Sequence, residues 1–555
     1  MNAAPPAPAP PEQKSTPDIR RRWTLFFGYV LCFPPLLRLI FGAGNFSGSD
    51  WLNWGLSLLF RVLLVGLFFL CLPRKNVVAG WAVMILASLT AGLFVLPDLY
   101  LLVNFGTLLD GETLRLAAIA PASEIRGFLR LFFCRASTLV LLLLFPAAGL
   151  LIFRVKKHKV LWGALGALTA TGVLLLSFAP GRGRAAGQPS PGERLGSFFA
   201  ERQAAALRLD VAEAGVRVKA RNEDPEALYI LVIGESHSRR RSSLYGCARD
   251  TTPGLKRLFE AGKVHRFDDA VSPHVMTHLA LPVMLTLAEA SEPKTAFRHK
   301  ASLPDIFRNA GFKVWYAYNQ FPDSEKELPF LAAAKRADVF LSLHDRKFDN
   351  VFPGVLEKIL QDPAPRKLLI FHLRGSHWAY KENFPPKERF FTGAGPGLSP
   401  EQKRHAEIVD DYDNALRYTD GILSQLIERA AAEKKNAFLL YLSDHGEALY
   451  EEEGFVGHTD LFPTASSCEI PMVLWLSEKF ARPAIRSKLA EAVKRPFSSE
   501  DLPHLLMELA GIESPCFRPE RSVLNRAYEK RPRRISTRAV PYDLMKNRSV
   551  PTSRR

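Results

Sequence analysis

Asp444 and His445 directly follow AFLLYLS (437–443), an apolar run of the kind a fully buried strand shows. Glu447 comes two residues later, and His458 follows His445 by thirteen. A carboxylate beside an imidazole offers donors suited to zinc, and Mn²⁺ accepts the same set. Two other apolar runs end in such residues: LYILVIGES in Glu235 and its neighbour Ser236, and KLLIFHLRGSH in His377. Each alone reads as a solvated turn residue, but their coincidence at strand ends reads as an ion or phosphate site. A nucleophile is also at hand. In VSPHVMTHLALPVMLTLA (271–288), Thr277 comes shortly after Ser272-Pro273, near the start of a helical pattern. Helix N–H groups stabilise phosphate there, and metal coordination would lower the hydroxyl's pKa. The plain alternative is a capping threonine.

These residues need a frame to converge. From about residue 227 the sequence alternates strand, loop and helix. Apolar runs at 228–236, 313–320, 367–377 and 437–447 are separated by helical stretches such as 301–310 and 405–432. That alternation predicts an α/β domain with a mostly parallel sheet covered by helices on both faces. In such sheets ligands bind outside the carboxyl ends of the strands, where Glu235, His377 and Asp444-His445 would all lie.

The first third of the chain has a different character. Five apolar segments, at about 23–41, 55–72, 77–95, 136–153 and 160–178, each approach the length a helix needs to cross a bilayer. "RRR" at 20–22, Arg74 with Lys75, and "RVKKHK" at 154–159 lie on one side of the implied spans. The positive-inside rule then places the N-terminus in the cytoplasm and everything after Pro180 outside. The expected organisation is a disordered N-terminus (1–19), a five-span membrane domain (20–180), a linker with an amphipathic helix at 198–218 (181–225), an external domain (226–535) and a basic tail (536–555). Arg38, Arg61 and Arg135 fall at one level near the outer ends of three spans. Charges there are costly, so they read either as interfacial anchors or as a pocket for the phosphate of a lipid.

The formal net charge of +17 is partly concentrated near the C-terminus, where residues 517–555 hold twelve Lys/Arg against three Asp/Glu. A solvated tail or attraction to an anionic membrane surface accounts for it; no nucleic-acid partner is expected. Three of the six cysteines, Cys247, Cys468 and Cys516, fall in the external domain. They allow one disulfide at most, so that domain must rest on its own core.

The ordered motifs VIGESHSRRRSSLYGCARDTTPGL, RGSHWAY, YDNALRYTDGIL, SDHGE and RSVLNRAYEKRPR together resemble the phosphoethanolamine transferases of Gram-negative envelopes, within the sulfatase/alkaline-phosphatase superfamily. The resemblance spans about residues 20–535. It implies an inner-membrane enzyme with an alkaline-phosphatase/sulfatase-like domain in the periplasm. Phosphoethanolamine would pass from phosphatidylethanolamine to a lipopolysaccharide (core heptose or lipid A) or periplasmic glycan through a phosphorylated threonine. Glu235, Asp444 and His445 correspond to metal ligands and Thr277 to the nucleophile in contact with the metal. His377 and His458 correspond to histidines that hold the phosphate or a second zinc, and either is a candidate to exchange a proton with leaving group or acceptor. The chain has fewer external cysteines than the lipid A-modifying members, and its 444–458 segment is one residue longer. GESHSRRRSSLYG and RDTTP resemble the branch acting on core heptose or other glycans. A formylglycine motif, Cys/Ser-x-Pro-x-Arg, is absent. The rival readings are a glycerophosphate transferase resembling lipoteichoic acid synthases, and a non-catalytic envelope protein.

Overall fold

The computed structural model describes residues 216–548, apart from 293–295, 321–328, 344–347, 394, 453–455, 461–462, 482 and 537–538, together with Thr24, Leu25 and Gly28. The five expected spans, the N-terminal segment, most of the linker, and Arg38, Arg61 and Arg135 lie outside the described residues. Among the described residues no helix is long and apolar enough to cross a membrane. The chain divides into two units, 1–202 and 203–555, and the second contains the strands and helices that hold the candidate ligands.

Its centre is a seven-stranded sheet. The strands are β1 (Ala227–Gly234), β2 (Val264–Arg266), β4 (Lys313–Tyr318), β5 (Val339–Ser342), β6 (Arg366–His372), β7 (Ala437–Ser443) and β10 (Met472–Leu476). Four short strands outside it complete the numbering up to β11: β3 (Ala270–Val271), β8 (Ala448–Leu449), β9 (Val456–Gly457) and β11 (Phe497–Ser498). The order across the sheet is β2-β10-β7-β1-β6-β4-β5. β7, β1, β6, β4 and β5 run parallel, as the alternating pattern requires, whereas β10 is antiparallel to both β7 and β2. The sequence did not announce that antiparallel edge.

Successive residues of β1 face opposite sides of the sheet. Tyr229, Leu231 and Ile233 join a core with the helices α2 (Thr277–Met284) and α3 (Leu303–Asn309). Leu228, Ile230 and Val232 join another with α1 (Pro253–Glu260), α4 (Phe352–Leu360) and α5 (Ala406–Ala432). Both faces are thus covered, which is why these strands read as unbroken apolar runs. The start of α3 is fixed by a capping box, in which Ser302 and Asp305 satisfy each other's backbone N–H groups.

Two expectations need adjustment. Residues 216–218, the end of the expected amphipathic helix, are irregular. Val216 and Val218 pack against the core instead. The domain also does not stop at 535: β12 (Arg534–Ile535) pairs with β13 (Val540–Pro541), and a helix, α6 (Tyr542–Arg548), follows. The supposed tail is anchored because Ile535 and Tyr542 are fully buried. Cys247, Cys468 and Cys516 are all free thiols, in keeping with the expectation of at most one disulfide and a domain that rests on its own core.

Candidate active site

Strands β1 and β7 pair in register to their last residues, Gly234 opposite Ser443. The residues that follow, Glu235 and Asp444, therefore emerge side by side at the carboxyl edge of the sheet, with His445 next in line. Gly234 has to be glycine here, since a Cβ would come 2.4 Å from the Tyr441 hydroxyl oxygen. Donor atoms of Glu235, Asp444 and His445 lie within 4.8 Å of one another, and all three residues are buried.

The loops around the triad are held by hydrogen bonds. Ser376 donates to the Glu235 carbonyl through both its backbone N–H and its Oγ, each at 3.0 Å. Ser236 Oγ donates to Glu235 Oε1 at 2.8 Å, and its backbone takes a positive φ of 56°, uncommon outside glycine and frequent at functional turns. The Tyr412 hydroxyl on α5 donates to the Ser236 carbonyl and accepts from the Ser238 N–H. Asp349 accepts the N–H groups of Arg374 and Gly375, fixing the loop that leads to His377.

Thr277 is the first residue of α2, beyond its N-cap Met276. Its Oγ1 donates to Glu235 Oε2 at 3.1 Å and lies 3.3 Å from His445 Nε2. The expected nucleophile is thus inside the ligand cluster, with the open N–H groups of a helix start beside it.

The donor set fits a cation. The His445 Nδ1–H donates to the Gly446 carbonyl at 2.8 Å, so in the neutral ring Nε2 carries the lone pair. That atom lies 3.4 Å from Glu235 Oε1 and 3.5 Å from Asp444 Oδ2. Asp444 Oδ1 accepts the N–H groups of Ser236 and His445, while the buried Oδ2 has no hydrogen-bond partner within normal geometry among the described residues. Such an oxygen costs about 1–3 kcal/mol if left uncompensated. The charges also conflict. Burial and the carboxylate of Glu235 raise the pKa of Asp444, whereas Glu235, despite its own burial, is held well below the usual carboxylate range by His445. Burial opposes the charged form of His445, but Asp444 and Glu235 prevail and push its pKa up to about 10. A proton on His445 stands in for positive charge that a divalent ion supplies in full.

His458 is brought to the same place. Its ring centroid lies 4.2 Å from that of His445, and its Nδ1 is 3.0 Å from Glu447 Oε2. His377 is near enough to Glu235 to lower the carboxylate's pKa. The structure also adds residues that the sequence pattern left aside. Gln320, just past β4, donates through Nε2 to the Leu373 carbonyl at 2.7 Å and to Glu235 Oε2 at 3.4 Å. His372, fully buried, has Nε2 at 4.0 Å from Glu235 Oε2, and its burial lowers its pKa to about 4. The signal for Gln320 was available: YNQ ends an apolar run in polar residues, as GES does.

A family model described as Sulfatase matches residues 227–512, just over half the chain. A curated relative, the phosphoethanolamine transferase EptC of Escherichia coli strain K12, is 33% identical over 325 residues, covering 56% of this chain and 55% of that protein. The chain thus spans about half the length of the curated relatives it matches. Among solved structures, the C-terminal periplasmic domain of Escherichia coli EptC in complex with Zn is 30% identical with a TM-score of 0.54, over 60% of this chain and 97% of that one. An integral membrane protein, lipooligosaccharide phosphoethanolamine transferase A from Neisseria meningitidis, shares the fold over 94% of this chain and 99% of that chain, with a TM-score of 0.57 at 18% identity.

Proposed function

The chain belongs to the sulfatase family, and on that premise we propose that it transfers phosphoethanolamine from phosphatidylethanolamine to a lipopolysaccharide or periplasmic glycan acceptor, through a phosphorylated Thr277. One observation carries this reading: the Thr277 hydroxyl sits within hydrogen-bond reach of Glu235 and His445, at the start of a helix. Neither a solvated turn nor a binding scaffold needs a hydroxyl placed inside a buried ligand triad. The relative at 33% identity is named a phosphoethanolamine transferase, and the zinc-bound structural neighbour is a domain of the same EptC. That favours this donor over a glycerophosphate one.

Zinc held by Glu235, Asp444 and His445 would supply Lewis acidity that lowers the Thr277 pKa and neutralises phosphate charge. Thr277 Oγ1, as the alkoxide whose proton has already passed to solvent, attacks the donor phosphorus, the bond to diacylglycerol breaks, and phosphoethanolamine rests on Thr277, which leaves again as the alkoxide in the second transfer. The leaving alkoxide takes a proton from His458 or His377. The acceptor oxygen then attacks the same phosphorus, loses its proton to that histidine, and releases Thr277. Glu447 holds His458 through Nδ1, so Nε2 is the nitrogen that exchanges the proton. The backbone N–H groups at the start of α2 steady the phosphoryl oxygens.

The reading places the enzyme in the inner membrane, with five spans in residues 20–180, the N-terminus in the cytoplasm and the catalytic domain in the periplasm. Arg38, Arg61 and Arg135 are assigned to the donor's phosphate. Incubation with headgroup-labelled phosphatidylethanolamine should label a Thr277 peptide and release diacylglycerol. Thr277→Ala should lower transfer by at least about 10³-fold. Label on Ser236 or Ser272 instead, or equal labelling from phosphatidylglycerol, overturns the assignment. Mass spectrometry of lipid A, core oligosaccharide and periplasmic glucans from cells with and without the gene identifies the acceptor.

A further inference from the structure

Residues 533–536 and 539–545 near the C-terminus touch the stretch that leads into Thr277 directly and reach the loop after Glu235 through Glu469. Arg533 forms two 2.9 Å bonds to Asp269, the residue before β3, one from each terminal guanidinium nitrogen. Three residues on, the Ser536 N–H donates to the Pro273 carbonyl at 2.7 Å, on the stretch that leads into Thr277. Ile535 and Tyr542 are buried against Val271 and Val275, which flank Pro273, and against Cys468. The Tyr542 hydroxyl reaches further and donates to Glu469 Oε1 at 2.7 Å.

Glu469 is a junction. Its carboxylate binds Arg240 through two contacts, at 2.9 and 3.0 Å, and Arg239 at 3.1 Å. Its carbonyl accepts the Arg239 N–H at 2.9 Å. Those arginines follow Glu235 by four and five residues. One short segment is therefore bonded to the approach to Thr277 directly and to the Glu235 loop through one carboxylate.

We propose that this segment is a clamp that sets the distance between Thr277 and Glu235, with Tyr542 and Glu469 as its positioning residues. The inference rests on Thr277 being the nucleophile. Neither residue touches substrate; each acts by holding a backbone whose small displacement is costly, since a misplacement of about 1 Å can cost on the order of 100-fold in rate. The packed ring and the arginine pairs anchor the fold by themselves, which leaves the tyrosine hydroxyl to tie the two loops together.

The test uses the full-length, zinc-loaded protein and a small chromogenic phosphoester as well as the lipid donor. Tyr542→Phe keeps the buried ring and removes only the hydroxyl. It should lower kcat about tenfold on both substrates, with KM within about twofold, unchanged zinc content and a thermal midpoint close to wild type. Glu469→Gln should show the same split between kcat and KM. If kcat stays at the wild-type value in Tyr542→Phe, or falls only in step with a lost thermal midpoint or lost zinc, the clamp is refuted. A parallel Thr277→Ala variant separates the two ideas: wild-type rates in it refute the nucleophile, whereas its inactivity beside a fully active Tyr542→Phe refutes the clamp alone.

Discussion

Gly375 and Glu235 meet backbone to backbone: a Cβ built on Gly375 would lie 2.9 Å from both the amide nitrogen and the carbonyl oxygen of Glu235. Gly375 also holds a positive φ of 54°. The loop after β6 can approach the Glu235 backbone only because this residue has no side chain. Gly375→Ala should therefore displace Glu235 without disturbing the core. We expect activity to fall at least about tenfold, with zinc affinity reduced and far-ultraviolet circular dichroism unchanged. Wild-type zinc titration and rate in this variant would show the contact to be dispensable.

Asp444 carries a buried oxygen with no hydrogen-bond partner among the described residues. If zinc is that partner, adding it should raise the thermal midpoint of the wild type, by the equivalent of about 2.7 kcal/mol at one hundred times the dissociation constant. Asp444→Asn should lose that response along with bound zinc measured by elemental analysis. Equal zinc-dependent stabilisation in the two proteins would count against the triad.

His504 on the helix Leu502–Ala510 accepts the Arg518 N–H through Nδ1 at 3.2 Å. Burial, reinforced by Arg521, Arg518 and Arg531, lowers its pKa to about 3. The folded protein keeps the ring neutral, while the unfolded chain protonates it below about 6.5. The unfolded state then binds more protons, so stability is complete above about pH 6.5 and declines as pH falls from there toward about 3. Thermal midpoints between about pH 7 and 4.5 should fall less steeply in His504→Asn than in the wild type. Parallel slopes would exclude His504 as a source of acid sensitivity.

Arg38, Arg61 and Arg135 are expected to bear on the lipid donor and not on the chemistry. Replacing each with Gln should raise the apparent KM for phosphatidylethanolamine at least about tenfold, since a charge-assisted bond contributes about 1.5–3 kcal/mol. Hydrolysis of a short soluble phosphoester should be unaffected. Normal lipid kinetics in all three variants would make them interfacial anchors.

Glu235, Asp444 and His445 were legible because parallel neighbours end at the same edge, so polar residues that interrupt apolar runs must meet there. Thr277 was legible as a hydroxyl near a helix start. What did not show were contacts made by chance of loop geometry. Gln320 and His372 approach Glu235 from two other strands; the polar end of YNQ marked Gln320 as a candidate, but no spacing within β4 or β6 encodes the meeting itself. The run MVLWL does not reveal that β10 turns antiparallel, since its direction follows from the preceding loop. The end of the domain was misplaced because Arg, Lys and Pro dominate 526–548, hiding the two buried anchors Ile535 and Tyr542.

The central strand imposes an order of events on the chain. Leu228 of β1 pairs with Lys367 on one side and with Ala437 on the other, so β1 must remain unpartnered while a long stretch of polypeptide emerges behind it. Threading outward from the N-terminus, the chain presents Glu235 and Thr277 early and Asp444 with His445 late, and Tyr542 later still. Assembly of the triad thus awaits residues 444–445, and the contact through Tyr542 awaits residue 542. Pairings so distant in sequence form slowly, and in the interval the apolar edges of β1 and β6 are exposed to other unfinished chains. A nascent chain stalled before residue 437 should bind no zinc at this site and depend on holding chaperones, a burden the finished sheet no longer carries.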